Sequence, residues 1–173
     1  MLFRSYLSTV DGVFVEIGSE RGEGSTEYFA GLASEKNTRL ITVDVVPISN
    51  QLNGVEYVTA TGSKWAREIF PGYNEKISCL YLDNFDYDWD VAQGGSQQMI
   101  DIVRHQQQEY LDRGIVMNNL NCQAEHLAQM LALIPYMANN SLVVRDDTHK
   151  INDCYVGKCG AVIPLLSLHG YEI

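Results

Sequence analysis

Two groups of residues in this chain have the types and spacing for chemistry. The first is the run Glu16-Ile17-Gly18-Ser19-Glu20-Arg21-Gly22-Glu23-Gly24-Ser25, which comes after a short apolar stretch. Glycines here let backbone pass close to a ligand where a Cβ would collide. Their spacing excludes two phosphate motifs. A dinucleotide fingerprint begun at Gly18 needs glycines at positions 20 and 23, both of which are glutamate, and a P-loop needs a lysine where Gly24 stands. Glu20 and Glu23 would also repel a pyrophosphate. A cationic or zwitterionic ligand fits better. Asp44 lies twenty-six residues after Gly18, at the end of the next apolar run, where a carboxylate can accept both hydroxyls of a ribose. These features point to a nucleoside-containing ligand without phosphates. The plainer reading of the same residues is a tight turn and a capping or solvated aspartate.

The second group is Asp83, at the end of a fourth apolar run, with Asp146 and Asp147 at the end of a fifth. If those runs are neighbouring parallel strands, three carboxylates meet at the edge that carries the glycine turn. Like charges so close repel unless protonated or neutralised by a cation. An all-oxygen donor set completed by water suits Mg²⁺, and less often Mn²⁺ or Ca²⁺. The competing reading makes Asp146 or Asp147 a cap for the following turn and Asp83 a solvated strand end.

The elements that must position these groups are legible as alternation. Strands are expected over 13–17, 39–43, 55–59, 77–82 and 142–145, and helices over 25–33, 64–70, 96–112 and 160–168. Between the fourth and fifth strands a further helix is marked by Leu120, Ala124, Leu127, Leu131 and Ile134, whose spacing reads as a buried stripe. Asn119 or Asn121 can cap its start, and Asn118-Asn119 together also supply a cap. The strands lack the alternation of a half-wetted sheet, which argues for a mostly parallel sheet with helices on both faces. We expect a single α/β domain over 1–173 with a helical insertion at about 90–125.

The chain has 173 residues, 46% of them apolar, and a net charge of −10. That length buries roughly 70% of the unfolded surface, as one domain. The acidity disfavours nucleic acid and anionic membranes as partners. No run approaches the roughly 20 apolar residues of a membrane span, and the N-terminus does not read as a signal peptide. Four scattered cysteines without a C-x-x-C pair suggest reduced thiols in a cytoplasmic protein.

The glycine turn, an acidic residue followed by x-Gly, three residues, Gly-x-Gly, resembles motif I of the class I S-adenosylmethionine-dependent methyltransferases. The resemblance spans about residues 12–173. It implies a Rossmann-like fold, here lacking the last strands, and a cofactor, S-adenosyl-L-methionine. Glu16, Gly18, Ser19, Gly22, Gly24 and Ser25 would hold its methionine part and Asp44 its ribose. Gly62-Ser63 is similar to the segment near the adenine, although Thr61 stands where that segment carries an acidic residue. Asp83 would border the cofactor. Asp83, Asp146 and Asp147 resemble the metal ligands of the divalent-metal-dependent small-molecule and sugar O-methyltransferases, which implies Mg²⁺ and a small hydroxylated substrate. The string from Asp146 through Gly157-Lys158-Cys159-Gly160 is similar to the cephalosporin-hydroxylase-like group.

Asp86 stands where related enzymes carry a basic side chain and is the first candidate base, with His149 the second. His126 reads as a surface or hydrogen-bonded histidine and Lys158 as a surface lysine that could neutralise an acidic substrate. Tyr87, Trp89 and Tyr155 could stack on a flat acceptor. A fifth strand at the sheet edge would expose unpaired backbone, in a short natural form, in a fragment, or covered by a second copy in a homodimer. Transfer of a methyl group to a hydroxyl is the leading expectation. Metal-independent N-methylation, or cofactor binding without turnover, is the alternative.

Overall fold

A computed structural model describes residues 10–19, 24–84 and 96–173. It is an α/β structure whose main sheet has five parallel strands in the order β3-β2-β1-β4-β5. These are β1 (Val13–Ile17), β2 (Leu40–Asp44), β3 (Val55–Thr59), β4 (Ile77–Leu82) and β5 (Met137–Arg145). The order reverses direction at β1, so the crevice outside the carboxyl ends of β1 and β4 is the switch point where open parallel sheets take ligands. The Rossmann-like expectation is met.

Buried β-branched and leucine side chains on β1, β2 and β4 alternate between two packed faces. Val13, Val15, Ile17, Ile41, Val43, Leu80 and Leu82 join a core with Trp65, Phe70, Met130, Leu133, Val162 and Leu166. Phe14, Leu40 and Cys79 face the other way, against Phe29, Leu32 and Ala33 of α1 (Ser25–Glu35). Burial on both sides explains why these strands are apolar throughout.

Past β3 the chain enters a short helix, α2 (Gly62–Lys64), continues through a wider turn over Trp65–Ile69, and ends in a 3₁₀ turn at Phe70–Tyr73. Gly62 and Ser63, which precede the expected helix, are therefore the first helical residues. Two further helices, α3 (Gln97–Asp112) and α4 (Asn119–Leu133), lie between β4 and β5. Only α3 behaves as an insertion: none of its described side chains is fully buried. Helix α4 is the crossover that covers the sheet.

The face it buries is not the expected stripe. Leu120 is 77% and Leu131 53% exposed, while Cys122, His126, Gln129, Met130 and Leu133 are buried. Hydrogen bonds to His126 and Gln129 let two polar side chains displace leucines from the interior. Asn118 is the cap, its side chain accepting the Asn121 N–H at 2.8 Å.

Strand β5 starts five residues earlier than expected, and a hairpin that the apolar pattern does not predict comes after it. Asp146-Asp147 leads into antiparallel β6 (Thr148–Ile151) and β7 (Cys154–Gly157), separate from the main sheet. The two-residue turn Asn152-Asp153 has positive φ at both positions (48° and 63°), the geometry that short polar side chains tolerate in such hairpins. A last helix, α5 (Val162–Leu168), packs beneath the sheet. Among the described residues no strand pairs with the outer edge of β5.

Gly18 is required by the sheet itself. Its φ is +94°, its N–H donates to the Val43 carbonyl at 2.9 Å, and an added Cβ would lie 1.7 Å from the Asp83 carbonyl oxygen. The tip of β1 can approach the tip of β4 only without a side chain. Gly18→Ala should therefore lose well over ~2 kcal/mol of stability, combining the left-handed backbone cost with a backbone collision. Gly31→Ala, in open space on α1, should be neutral or gain about 0.5–1 kcal/mol. Denaturant midpoints for the two variants check this opposition of sign.

Candidate functional site

A cleft of about 800 Å³ opens at the carboxyl ends of the strands, lined by Gly18, Ser19, Asp44, Gly62, Asp83 and Lys158 among others. At one end the glycine turn is tied to β2: the Ser19 N–H donates to Asp44 Oδ2 at 2.9 Å, and the Val46 N–H donates to Oδ1 at 2.8 Å. Asp44 is 8% exposed, with both oxygens engaged by backbone. Each carboxylate oxygen can accept more than one hydrogen bond, so a ligand hydroxyl can still be received. Among the described residues Ser19 Oγ and Asn84 Nδ2 have no hydrogen-bond partner, and both residues line this cleft.

Glu16 does not line the cleft. It points with Phe14 toward α1, fully buried, where Oε1 accepts from Ser25 Oγ (2.7 Å) and Oε2 from Thr26 Oγ1 (2.7 Å) and Thr42 Oγ1 (2.9 Å). Burial raises its pKa and the three hydroxyls oppose that shift. Its role is to lock the first turn of α1 to the sheet, behind the ligand surface. Gly24 opens α1 and is outside the lining as well. Gly62 lines the cleft, but its missing Cβ accommodates protein: an added one would lie 2.4 Å from Gln129 Nε2 and 2.5 Å from Ile17 Cγ2.

At the other end, Asp83, Asp146 and Asp147 do converge, as the parallel pairing of β4 with β5 requires. A lysine stands between them. Lys158 Nζ is 2.7 Å from Asp83 Oδ1, 3.4 Å from Asp146 Oδ2 and 3.6 Å from Asp147 Oδ2, and its side chain is only 4% exposed. The surface position expected for Lys158 is thus incorrect. Asp83 Oδ2 accepts from the Tyr81 hydroxyl at 3.0 Å. Burial pushes the Asp83 carboxyl up to about 7, against the Lys158 ammonium, while nearby Asp146 adds to the rise.

The oxygens suit a divalent ion in type, yet the place where three carboxylates could share one already holds a positive charge. Among the described residues no group of three acidic, histidine or cysteine side chains is arranged to hold a metal. The donor set as folded does not fit Mg²⁺ beside Lys158.

Helix α4 supplies residues that the sequence did not assign to the site. Glu125 Oε1 accepts the Ser63 N–H at 2.8 Å and Gln129 Nε2 at 3.2 Å. It places a carboxylate beside Gly62-Ser63, where Thr61 replaces the expected acidic residue. No sequence signal marks it, because the two segments are 62 residues apart. His126 is fully buried: its Nδ1–H donates to the Cys122 carbonyl at 2.9 Å, leaving Nε2 to accept the Asn84 N–H at 3.3 Å. It anchors the segment just after Asp83 to α4. Gln106 and Tyr110 from α3 complete one wall.

His149 is exposed, pairs with Val156 in the hairpin and is outside the lining, so it is removed as a base. Tyr155, in the same hairpin, lies near the Lys150 ammonium, 5.7 Å from its ring centre. Gly22, Asp86, Tyr87 and Trp89 lie outside the described residues. The four cysteines, all among the described residues, form no disulfide, and burial pushes the Cys79 and Cys159 thiols up to about 12.

Burial lowers His126 to about 4 from an ordinary 6.5. The unfolded chain therefore binds a proton between those values that the folded chain refuses, and stability must fall as pH drops through that window. Relative to His126→Gln, the native chain should lose roughly 3 kcal/mol between about pH 7 and about pH 4. Urea denaturation of both proteins across this range measures it; parallel pH curves would show that His126 is not held neutral.

No protein-family model matches this chain, and no curated protein matches it. Among solved structures, it is similar to the ligand-free aldohexose dehydrogenase of Thermoplasma acidophilum, at 12% identity and a TM-score of 0.44. That match covers 91% of this chain and 58% of the dehydrogenase, so the chain spans less than two thirds of that protein's length.

Proposed function

We propose that this chain transfers a methyl group from S-adenosylmethionine to a hydroxyl of a small molecule, with a sugar-like polyol as the acceptor class. The observation that carries the reading is the cleft's two-ended arrangement: Gly18, Ser19 and Asp44 at one end, and the carboxylates of Asp83, Asp146 and Asp147 with Lys158 at the other. Ser19 and Asn84, two lining residues that each keep a polar atom with no hydrogen-bond partner among the described residues, support a polar ligand. An acid-lined cleft favours a sulfonium over a phosphate.

In the transfer, the acceptor oxygen forms the new C–O bond while the S–CH₃ bond breaks and leaves its electron pair on sulfur. The hydroxyl proton passes to a cleft carboxylate, and the departing cofactor is S-adenosylhomocysteine. Holding donor and acceptor in line supplies much of the acceleration. Lys158, its ammonium set against the three aspartates, holds those carboxylates in place at the acceptor end, and the reading includes no metal step. No helix among the described residues is long and apolar enough to cross a membrane. A reducing cytoplasm suits four cysteines that form no disulfide, and the net charge argues against a nucleic-acid acceptor.

Titration calorimetry with S-adenosylmethionine should give saturable one-site binding. Asp44→Asn, with its circular dichroism unchanged, should weaken that binding by about tenfold or more, the loss of one charged hydrogen bond to a ribose. No binding heat for the native chain at several temperatures would end the methyl-transfer reading. Binding without methylation of any hydroxylated acceptor would identify a cofactor-binding protein instead.

A further inference from the structure

We infer that Lys158 is the resident cation of the carboxylate cluster: its ammonium occupies the position that a divalent ion would need between Asp83, Asp146 and Asp147, and a metal site opens only when that ammonium is removed. Two features carry this. One is the contact of a single buried nitrogen with all three aspartates. The other is the backbone that delivers it.

The hairpin β6–β7 leaves the sheet at Asp147 and returns to it at Lys158. Thr148 pairs with Gly157, and the Lys158 N–H donates to the Asp147 carbonyl at 3.0 Å, so the chain comes back to the residue it left. The closure requires Gly157, whose φ is +92° and whose added Cβ would sit 1.9 Å from the Asp147 carbonyl oxygen. Cys159, next in sequence, is fully buried in the main core and pins the position from the far side. The lysine stem is thus held at its base by backbone and core, and its head has little room to leave.

The electrostatics run in the same direction. An ammonium with so little exposure is strongly disfavoured unless it is paired, and the aspartates meet that need. They in turn need a cation to lie so close together. One residue answers both demands. A divalent ion binding the same oxygens at about 2.1 Å would sit close to Nζ, and the repulsion between the two positive charges would expel one of them. The inference concerns the cation alone and stands whether or not the cleft methylates anything.

Mn²⁺ is the probe, followed by paramagnetic resonance and by calorimetry on the full chain without cofactor. The native protein should show no saturable Mn²⁺ binding in the millimolar range, and its melting temperature should not move with metal. Lys158→Met keeps the stem and removes the charge. It should gain one Mn²⁺ site at least about tenfold tighter than any binding by the native chain, should be stabilised by the metal, and should lose the site in the double variant with Asp83→Asn. Lys158→Gln serves as the second variant if the methionine form does not fold. Tight binding of Mn²⁺ to the native chain that Asp83→Asn abolishes would overturn the inference, as would a folded lysine variant with no metal site. Neither result touches cofactor binding, which the Asp44→Asn titration reads separately.

Discussion

A buried ammonium among three carboxylates constrains the carboxyl edge of this sheet. Without Lys158, the tips of β4 and β5 would bring Asp83, Asp146 and Asp147 together with no positive charge between them. Without the aspartates, Lys158 could not remain 4% exposed. The hairpin between Asp147 and Lys158 has its structural meaning in that exchange: it is an excursion of the chain that returns a cation to the strand end from which it departs. Tyr81, which donates to the second oxygen of Asp83, extends the network into the α1 face of the sheet.

The other end of the cleft shows the same pattern, in which polar groups first position the backbone. Asp44 receives two backbone N–H groups, Glu16 receives three hydroxyls, and Glu125 receives the first turn of α2. Each ties a loop at the carboxyl edge to a neighbouring element. The edge is therefore held by the protein's own hydrogen bonds, and two residues of the cleft lining, Ser19 and Asn84, each keep a polar atom with no partner among the described residues. Preorganised dipoles around a cavity are what the proposed transfer would need, because they do not have to rearrange as charge moves.

Helix α4 shows how a hydrophobic pattern can mislead. Leu120 and Leu131 fit the apolar spacing and face solvent, whereas His126 and Gln129 are buried. Periodicity ranks side chains by transfer energy and takes no account of hydrogen-bond partners from distant segments. Asn84 and the Cys122 carbonyl satisfy both ring nitrogens of His126, and Glu125 accepts from the Gln129 amide. A histidine so matched costs little to bury, and it fixes the helix rotation more specifically than a leucine would; Gln129 is matched at Nε2, while its Oε1 has no hydrogen-bond partner among the described residues.

The amino-acid sequence by itself determined the alternation of strands and helices, the parallel sheet, the placing of Gly18 and Asp44 at one cleft edge, and the convergence of Asp83 with Asp146 and Asp147. All four are consequences of local apolar runs and of the rule that parallel strands end on one side. Tertiary structure alone decided that Glu16 turns inward, that His149 lies on an exposed hairpin, that Glu125 joins the site, and that Lys158 sits among the three aspartates. The reason is physical. Side chains 62 or 75 residues apart meet only after the strands have paired, and the free energy of burying a charge depends on partners that no local window of sequence contains.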